Sequence, residues 1–279
     1  MFKGFYTVTS GMIAQQRKTE ILTNNMANAN TPGFKADQST IRSFPDMLMS
    51  AVKSNGVPTE KGLNFLQATQ VGAVNTGVYV QETLANYAQG SLTQTGLATD
   101  VALVDGTMPV DEASGNTGTV FYRLLTESGS EAYTRNGSFT LDGDGNLVTG
   151  TGQFVLDDNG DKIQLDSANF SVSTDGYIMN ENGQQVARLG IGFAANTDVL
   201  MKQDNGLYNL LDGETLPSAY NVDGVTFGTQ QGYLEASNVD ASKSMTDLLT
   251  AYRAFEANQK VLQAYDKSMD KAVNELGKV

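Results

Sequence analysis

Residues 238–276 read NVDASKSMTDLLTAYRAFEANQKVLQAYDKSMDKAVNEL, and this run decides the fold. Taken in sevens, Leu248, Phe255, Leu262, Met269 and Leu276 form an unbroken apolar column. The companion column at the other heptad step is Met245, Tyr252, Gln259, Asp266 and Val273, apolar at its ends and polar in its middle. The pattern predicts a long amphipathic helix whose narrow seam packs on another helix. No proline interrupts the run, and Gly277 stands just past it. At about 1.5 Å per residue, some 38 helical residues extend roughly 57 Å, too long for one wall of a small globule. A partner helix is therefore expected.

The start of the chain offers that partner. From Lys3 to about Asn28, the residues Phe5, Val8, Met12, Leu22 and Met26 fall on one seam, with Gln15 and Thr19 polar between them. Gly11 weakens this helix by about 1 kcal/mol relative to alanine. Its end is written in Asn28-Ala-Asn30-Thr-Pro32-Gly33-Phe34. Asn30 suits a C-cap, Pro32 biases Thr31 away from helix, and Gly33 tolerates positive φ.

Between the two ends the pattern changes period. Phe44 to Val52 is expected as a short helix with Pro45 in its first turn, Ser54 to Gly62 as an exposed loop, and Val71 to Glu82 as strand-like. From about Gly90 to Gly232 the chain reads as all-β. Asn-Gly and Asp-Gly pairs starting at 105, 136, 142, 144, 159, 175, 182, 205, 212 and 223 punctuate it, as the primed turns of tight hairpins would. Between them lie short runs of strand formers such as Thr119–Leu125, Phe170–Ser173 and Gln185–Phe193. Thr107 to Gly118 has no periodicity and is expected as an exposed loop. The fold class expected is α+β: long N- and C-terminal helices pairing as a coiled-coil-like unit around a central antiparallel all-β domain. Residues 1–35 and 233–279 would form the helical unit, 36–89 a connecting region and 90–232 the β domain.

Composition narrows the chemistry. The chain has 279 residues with 18 Lys plus Arg against 31 Asp plus Glu, a net charge of −13. Its cations are scattered rather than gathered in a stripe, which argues against a nucleic-acid or anionic-membrane partner. There is no Cys and no His. Thiol nucleophiles, disulfides and thiolate metal sites are excluded, and so are the commonest general base and metal ligand. No cofactor is expected. The first twenty residues lack the apolar run of a cleavable secretory signal, and no run of 18 apolar residues could span a bilayer. Asp142-Gly-Asp-Gly-Asn146 starts like a calcium loop, but positions six and twelve are Leu147 and Gln153 instead of Gly and Glu, so a hairpin turn is expected there.

Three blocks together resemble the bacterial flagellar rod and hook proteins, and in particular the FlgF/FlgG-type rod proteins. They are Thr23-Asn-Asn-Met-Ala-Asn-Ala-Asn-Thr-Pro-Gly-Phe-Lys35 near the start, Gly232-Tyr-Leu-Glu-Ala-Ser-Asn-Val-Asp240 followed by Leu248 to Gln259 near the end, and a middle set. The middle set comprises Gly90–Gly96, Thr99–Leu103, Tyr133-Thr-Arg-Asn-Gly-Ser-Phe139 and Gly145–Thr149. The resemblance covers nearly the whole chain. It departs at Thr107–Gly118, which replaces a short link to a Gly-Phe-Phe strand.

That resemblance implies a non-enzymatic structural subunit of the flagellar rod in the basal body of the cell envelope. It implies helical self-assembly, torque transmission from motor to hook, and export by the flagellar type III apparatus without a cleaved signal. The implied partners are copies of itself, adjacent rod and hook or hook-junction proteins, and the export apparatus, without nucleic acid and without membrane insertion. The implied axial-core assembly residues are Met12, Leu22, Asn25, Met26, Asn28, Leu248, Tyr252, Phe255, Gln259, Leu262, Met269 and Leu276. Asn30, Pro32, Gly33 and Phe34 form the helix-terminating signature. Phe44 and Leu48 resemble the short export-gate motif of rod and hook substrates. The rivals are hook protein, which would need subunits that slide against one another, and a secreted β-rich carbohydrate-active enzyme, which would need a carboxylate pair across a cleft.

Overall fold

The computed structural model describes residues 2–56, 64–111, 115–203, 205–210 and 214–276. It is α+β, with one helix at each end and antiparallel strands between them. The chain divides into two compact units. One comprises Met1–Asn24, Asp37–Leu84 and Ser242–Val279; the other comprises Asn25–Ala36 and Ala85–Ala241.

The first unit holds most of helix α1 (Phe2–Ala27) and helix α2 (Ala241–Lys271), the latter followed by a π-helical turn over Ala272–Leu276. It also holds four strands: β1 (Asp37–Ser43), β2 (Met47–Gly56), β3 (Asn64–Val74) and β4 (Val78–Ala85). β1 pairs with β4, and β2 with β3 in a hairpin that runs from Met47↔Val74 to Gly56↔Asn64. The helix expected over Phe44–Val52 is therefore absent. The i, i+4 apolar spacing there suits either state, and ten consecutive cross-strand pairs with β3 decide for strand. Residues 57–62 of the expected loop lie outside the described residues. At Asn75–Gly77 the chain turns on the α1 surface. The Thr7 hydroxyl donates to Thr76 O at 3.2 Å, and Val78 N donates to Ser10 Oγ at 3.3 Å.

The second unit is organised by strand β7 (Thr119–Leu125), introduced after β5 (Leu92–Gln94) and β6 (Val101–Asp105). Along one edge β7 pairs with β8 (Glu131–Thr134). Along the other it is shared, Thr119–Tyr122 pairing with Ile191–Ala194 and Leu124–Leu125 with Phe154–Val155. Its side chains alternate between two cores, as the period of a strand requires. Val120, Tyr122 and Leu124 enter the larger cluster with Val101, Leu103 and Ile191, while Phe121 joins Tyr133, Tyr208 and Leu216 in the smaller. The Tyr122 hydroxyl donates to Val101 O at 2.6 Å, so its one polar atom is satisfied inside the core.

Most of the Gly-marked turns form, the pair at 212 lying outside the described residues, but their geometry differs from the primed two-residue loops expected. At 126–130, 142–146, 149–153, 157–161, 173–177, 180–184 and 203–207 one loop recurs. The first residue's N–H donates to the fifth residue's carbonyl, and a glycine in fourth place donates back to the first. Each of these glycines has φ between 75° and 92°, the signature of a type I turn closed by a glycine bulge. The first residue is a side-chain acceptor in most copies. Asp142 Oδ1, for example, takes the N–H groups of Asp144 and Asn146, and Asn146 Nδ2 donates to Oδ2, so the carboxylate is spent on its own turn. Gly106 and Gly137 belong to no such loop. A Cβ on Gly137 would stand 1.7 Å from Val101 O.

Tyr233–Glu235 is a strand on β5, and α2 starts at Ala241, directly after Asp240. Thr107–Gly118, apart from 112–114, is loop with a single bridge between Val110 and Thr117.

Candidate assembly site

Within the first unit α1 and α2 touch at matched positions. A Cβ on Gly4 would stand 2.3 Å from the Tyr265 hydroxyl, and one on Gly11 would stand 3.3 Å from Asn258 Nδ2. A later position on α1 thus meets an earlier one on α2, so the two helices run antiparallel where they touch. Gly11, which costs helix propensity, makes room for Asn258.

Burial along α2 sharpens the seam. Leu248, Phe255, Leu262 and Met269 are half-buried. The second protected column is Ser244, Ala251, Asn258, Tyr265 and Ala272, one position before the one expected. Tyr252 and Gln259 lie on the exposed side with Met245, Asp266 and Val273. On α1, Met12 and Leu22 are half-buried and Asn25 is buried, while Met26 is exposed. Leu276 sits in the π-helical turn; its side chain lies outside the described residues, as does that of Leu48 in β2. Phe44 precedes β2, partly exposed, with its ring 5.1 Å from that of Tyr79. The structure therefore does not place Phe44 and Leu48 one helical turn apart.

In the second unit the helix-terminating signature leads to a buried charge node that periodicity does not reveal. Asn28 Oδ1 accepts from the Thr31 hydroxyl at 3.2 Å, Asn30 is exposed, Pro32 is half-buried, and Gly33 and Phe34 are buried. The Lys202 ammonium stands 3.8 Å over the Phe34 ring. Gly33 has φ +69°, and its N–H donates to Glu235 O at 2.8 Å. Two residues on, Lys35 Nζ meets Glu235 Oε1 at 2.6 Å and donates to Ala88 O at 2.9 Å. Arg135 Nε meets Glu235 Oε2 at 2.5 Å, its Nη1 donates to Val120 O at 2.7 Å, and its Nη2 lies 2.8 Å from Asp105 Oδ1. Gly90 N–H also donates to Glu235 Oε1. The side chains of Lys35, Arg135 and Glu235 are at most 1% exposed.

Desolvation by burial works to raise the Glu235 carboxyl, but the charges of Arg135 and Lys35 outweigh it and hold the group below its ordinary value. For Lys35, burial wins over attraction to Glu235 and the ammonium is pushed down. Burial first, and then the opposing charge of Arg135 on the same carboxylate, make Lys35 the weaker cation of the node. Asn238 completes the node. Its Oδ1 accepts from Ala36 N at 2.8 Å, and its Nδ2 donates to the carbonyls of Asn86 and Ala88. Lys35, Arg135 and Glu235 come from the three blocks that carry the family resemblance. Sequence spacing could not join them, because they lie 100 residues apart; their sharing of those blocks was the available signal. Among the described residues no group of three or more acidic side chains is placed to hold a metal ion, and no helix is long and apolar enough to cross a membrane.

Three family models match the chain. Residues 5–35 match the flagella basal body rod protein, 117–180 the D1 domain of the flagellar hook protein FlgE/F/G, and 230–275 the C-terminal region of the flagellar basal body rod FlgEFG protein. The chain is 43% identical to the flagellar hook-basal body complex protein FlhO of Bacillus subtilis (strain 168) over 279 residues, 100% of both chains. It is 33% identical to the flagellar basal-body rod protein FlgG of the same strain, covering 98% of this chain and 99% of that one. With FlgG of Agrobacterium fabrum the identity is 32%, covering 92% and 93%.

Proposed function

We propose, for a chain that belongs to the flagellar basal-body rod proteins of the FlgF/FlgG type, that its terminal helices pair as a coiled-coil-like axial core and carry torque from motor to hook. The protein is a structural subunit of the flagellar basal-body rod and not an enzyme. Residues 1–35 and 233–279 form the axial core in this proposal, 90–232 the outer β domain, and 36–89 the connection. Copies of the chain stack with each other and with adjacent rod and hook or hook-junction proteins. Delivery is by the flagellar type III apparatus without a cleaved signal, with Phe44 and Leu48 read by the export gate.

One observation carries the proposal. Among the described residues of α1 and α2 within the first unit, the apolar side chains that reach full burial are Ala14 and Ala251, whereas the β unit has two packed cores. A helix pair that buries so little of its own apolar surface lacks the packing that stabilises helices in water. Neighbouring copies supply it in this reading, with Met12, Leu22, Asn25, Met26, Asn28, Leu248, Tyr252, Phe255, Gln259, Leu262, Met269 and Leu276 at the contacts.

The test is to purify and image basal bodies from a strain lacking the chain. Rods that end short with no hook support the proposal. Complete rods without hooks would transfer the chain to the hook, and intact flagella would remove it from the axial structure altogether.

A further inference from the structure

The β unit holds four Asn-Gly dipeptides: Asn136-Gly137, Asn159-Gly160, Asn182-Gly183 and Asn205-Gly206. A further one, Asn55-Gly56, lies in the first unit, with its side chains outside the described residues. As sequence the four are equivalent, since each sets a side-chain amide beside a backbone N–H that no Cβ shields. The structure separates them. Asn136 Oδ1 accepts from Ser138 N at 3.0 Å, and Gly137 is walled in by Val101 O. Asn159 Nδ2 donates to Asp157 Oδ2 at 3.2 Å. Asn205 Oδ1 accepts from Leu207 N at 3.1 Å. Asn182 differs from all three. Its backbone N–H donates to Asn180 Oδ1 at 3.1 Å, but its side-chain amide has no hydrogen-bond partner among the described residues and is exposed. Around Gly183 the space is open, with nothing within 4 Å of where a Cβ would stand.

We infer that Asn182 is the modification site of the folded β unit, the asparagine that converts spontaneously to aspartate and isoaspartate. Asparagine is among the thermolabile residues, and the step needs only water and hydroxide. Hydroxide takes the Gly183 amide proton, and that nitrogen bonds to Asn182 Cγ. The Cγ–Nδ2 bond breaks, and Nδ2 leaves as ammonia with a proton from water, which regenerates hydroxide. Water then opens the cyclic imide. Breaking the new bond to Cγ gives aspartate at 182. Breaking the bond between Gly183 N and the Asn182 carbonyl carbon gives isoaspartate, with the chain running on through the former side chain. The sum is one water in and one ammonia out, with no change of oxidation state. The side chain sets the rate because Cγ has to swing onto the Gly183 nitrogen. At Asn136, Asn159 and Asn205 the same swing breaks a hydrogen bond that holds the amide; at Asn182 it breaks none. The backbone does not discriminate among the loops, since Gly160, Gly183 and Gly206 donate to the first residue of their own loops at 3.1, 2.9 and 3.1 Å. Isoaspartate adds a methylene to the backbone of the Asn180–Gln184 loop. That disrupts the 2.9 Å bond from Asn180 N to Gln184 O, which closes the hairpin of Tyr177–Met179 and Gln185–Arg188.

The test follows the full chain at mildly alkaline pH, folded in buffer and in parallel unfolded in urea, by tryptic digestion and mass spectrometry. Conversion adds about 1 Da to the peptide that carries it. Asn182 falls in the tryptic peptide Ile163–Arg188, apart from the peptide of Asn205 and from Asn136–Lys162, which carries the other two and is resolved by fragmentation. In the folded chain Asn182 should convert at least fivefold faster than each of Asn136, Asn159 and Asn205. In urea the hydrogen bonds that hold those three amides are gone, and the lead of Asn182 should fall to about twofold or less. Equal rates in the folded chain, or another of the four in front, would overturn the inference. So would the same lead persisting in urea, because the neighbouring sequence and not the fold would then select Asn182. A folded chain that stays intact at Asn182 while the unfolded chain converts there would overturn it as well, by showing that the loop protects its asparagine.

Discussion

Glu235 satisfies two buried cations at once, and this sets an order among substitutions. Glu235→Gln keeps much of the shape but leaves Lys35 buried without a counter-charge and Arg135 with Asp105 alone. Losing one partner of a buried ion pair costs about 3–5 kcal/mol, so the β unit should show a large drop in its urea midpoint. Lys35→Met removes the weaker cation and leaves Arg135 paired, so its cost should be roughly 1 kcal/mol, near that of one lost hydrogen bond. Equal losses from the two would refute a node centred on Glu235. The pH dependence follows from the same charges. The Glu235 carboxyl is depressed in the folded chain, so its contribution is complete above the ordinary carboxylate value and is lost as pH falls through the depressed one. The stability gap between wild type and Glu235→Gln should therefore shrink on acidification. Lys35 is also lowered. The unfolded chain thus binds more protons just below the ordinary lysine value, and stability should rise with pH there relative to Lys35→Met. Gly33 admits no replacement on either count, since φ is +69° and a Cβ would stand 2.5 Å from the Arg135–Asn136 backbone. Gly33→Ala should cost several kcal/mol, read as a fall in the melting temperature of the β unit.

Gly11 behaves differently because its neighbour is the end of a side chain. Gly11→Ala recovers about 1 kcal/mol of helix propensity, while its Cβ asks the Asn258 amide to move by a few tenths of an ångström. Circular dichroism should report equal or higher helix content. A marked loss would mean that the Gly11–Asn258 approach is rigid. Leu262→Asp acts on the seam itself. A half-buried leucine becomes a charge, so the variant should fail to sediment with basal bodies while its β unit keeps the wild-type melting transition. Normal incorporation would remove Leu262 from the assembly surface. At this scale the sequence was legible where one periodicity ruled. The Leu248–Met269 column, the two terminal helices and the Gly-punctuated strands all follow from spacing. The second α2 column was hidden because Ser244, Ala251, Asn258 and Tyr265 are small or polar. The strand at Met47 was hidden because Phe44–Val52 consists of residues that suit a helix until β3 pairs with them. The charge node was hidden for a third reason. Lys35, Arg135 and Glu235 read as surface charges, and their burial depends on pairs 100 and 200 residues apart.

The two units differ in what holds them, and a protease should report that difference. The β unit has packed aromatic and aliphatic cores, whereas among the described residues of α1 and α2 the fully buried apolar side chains are Ala14 and Ala251, and these helices depend on neighbours absent from a dilute monomer. Trypsin should therefore cut early at Arg17, Lys18, Arg253 and Lys260. The charge node then makes a specific demand. The arm Asn25–Ala36 is tied to the β unit by Lys35 with Glu235, by Gly33 N–H with Glu235 O, and by Ala36 N–H with Asn238. The arm should consequently stay bound after cleavage at Lys18, and any fragment that carries Asn25–Ala36 should co-elute with the β unit on gel filtration. Urea or Glu235→Gln should release it. A released arm in the wild-type digest would show that the node does not hold the start of the chain. Terminal helices left uncut would show that the axial unit is already stable alone, and the requirement for neighbouring copies would fall with it.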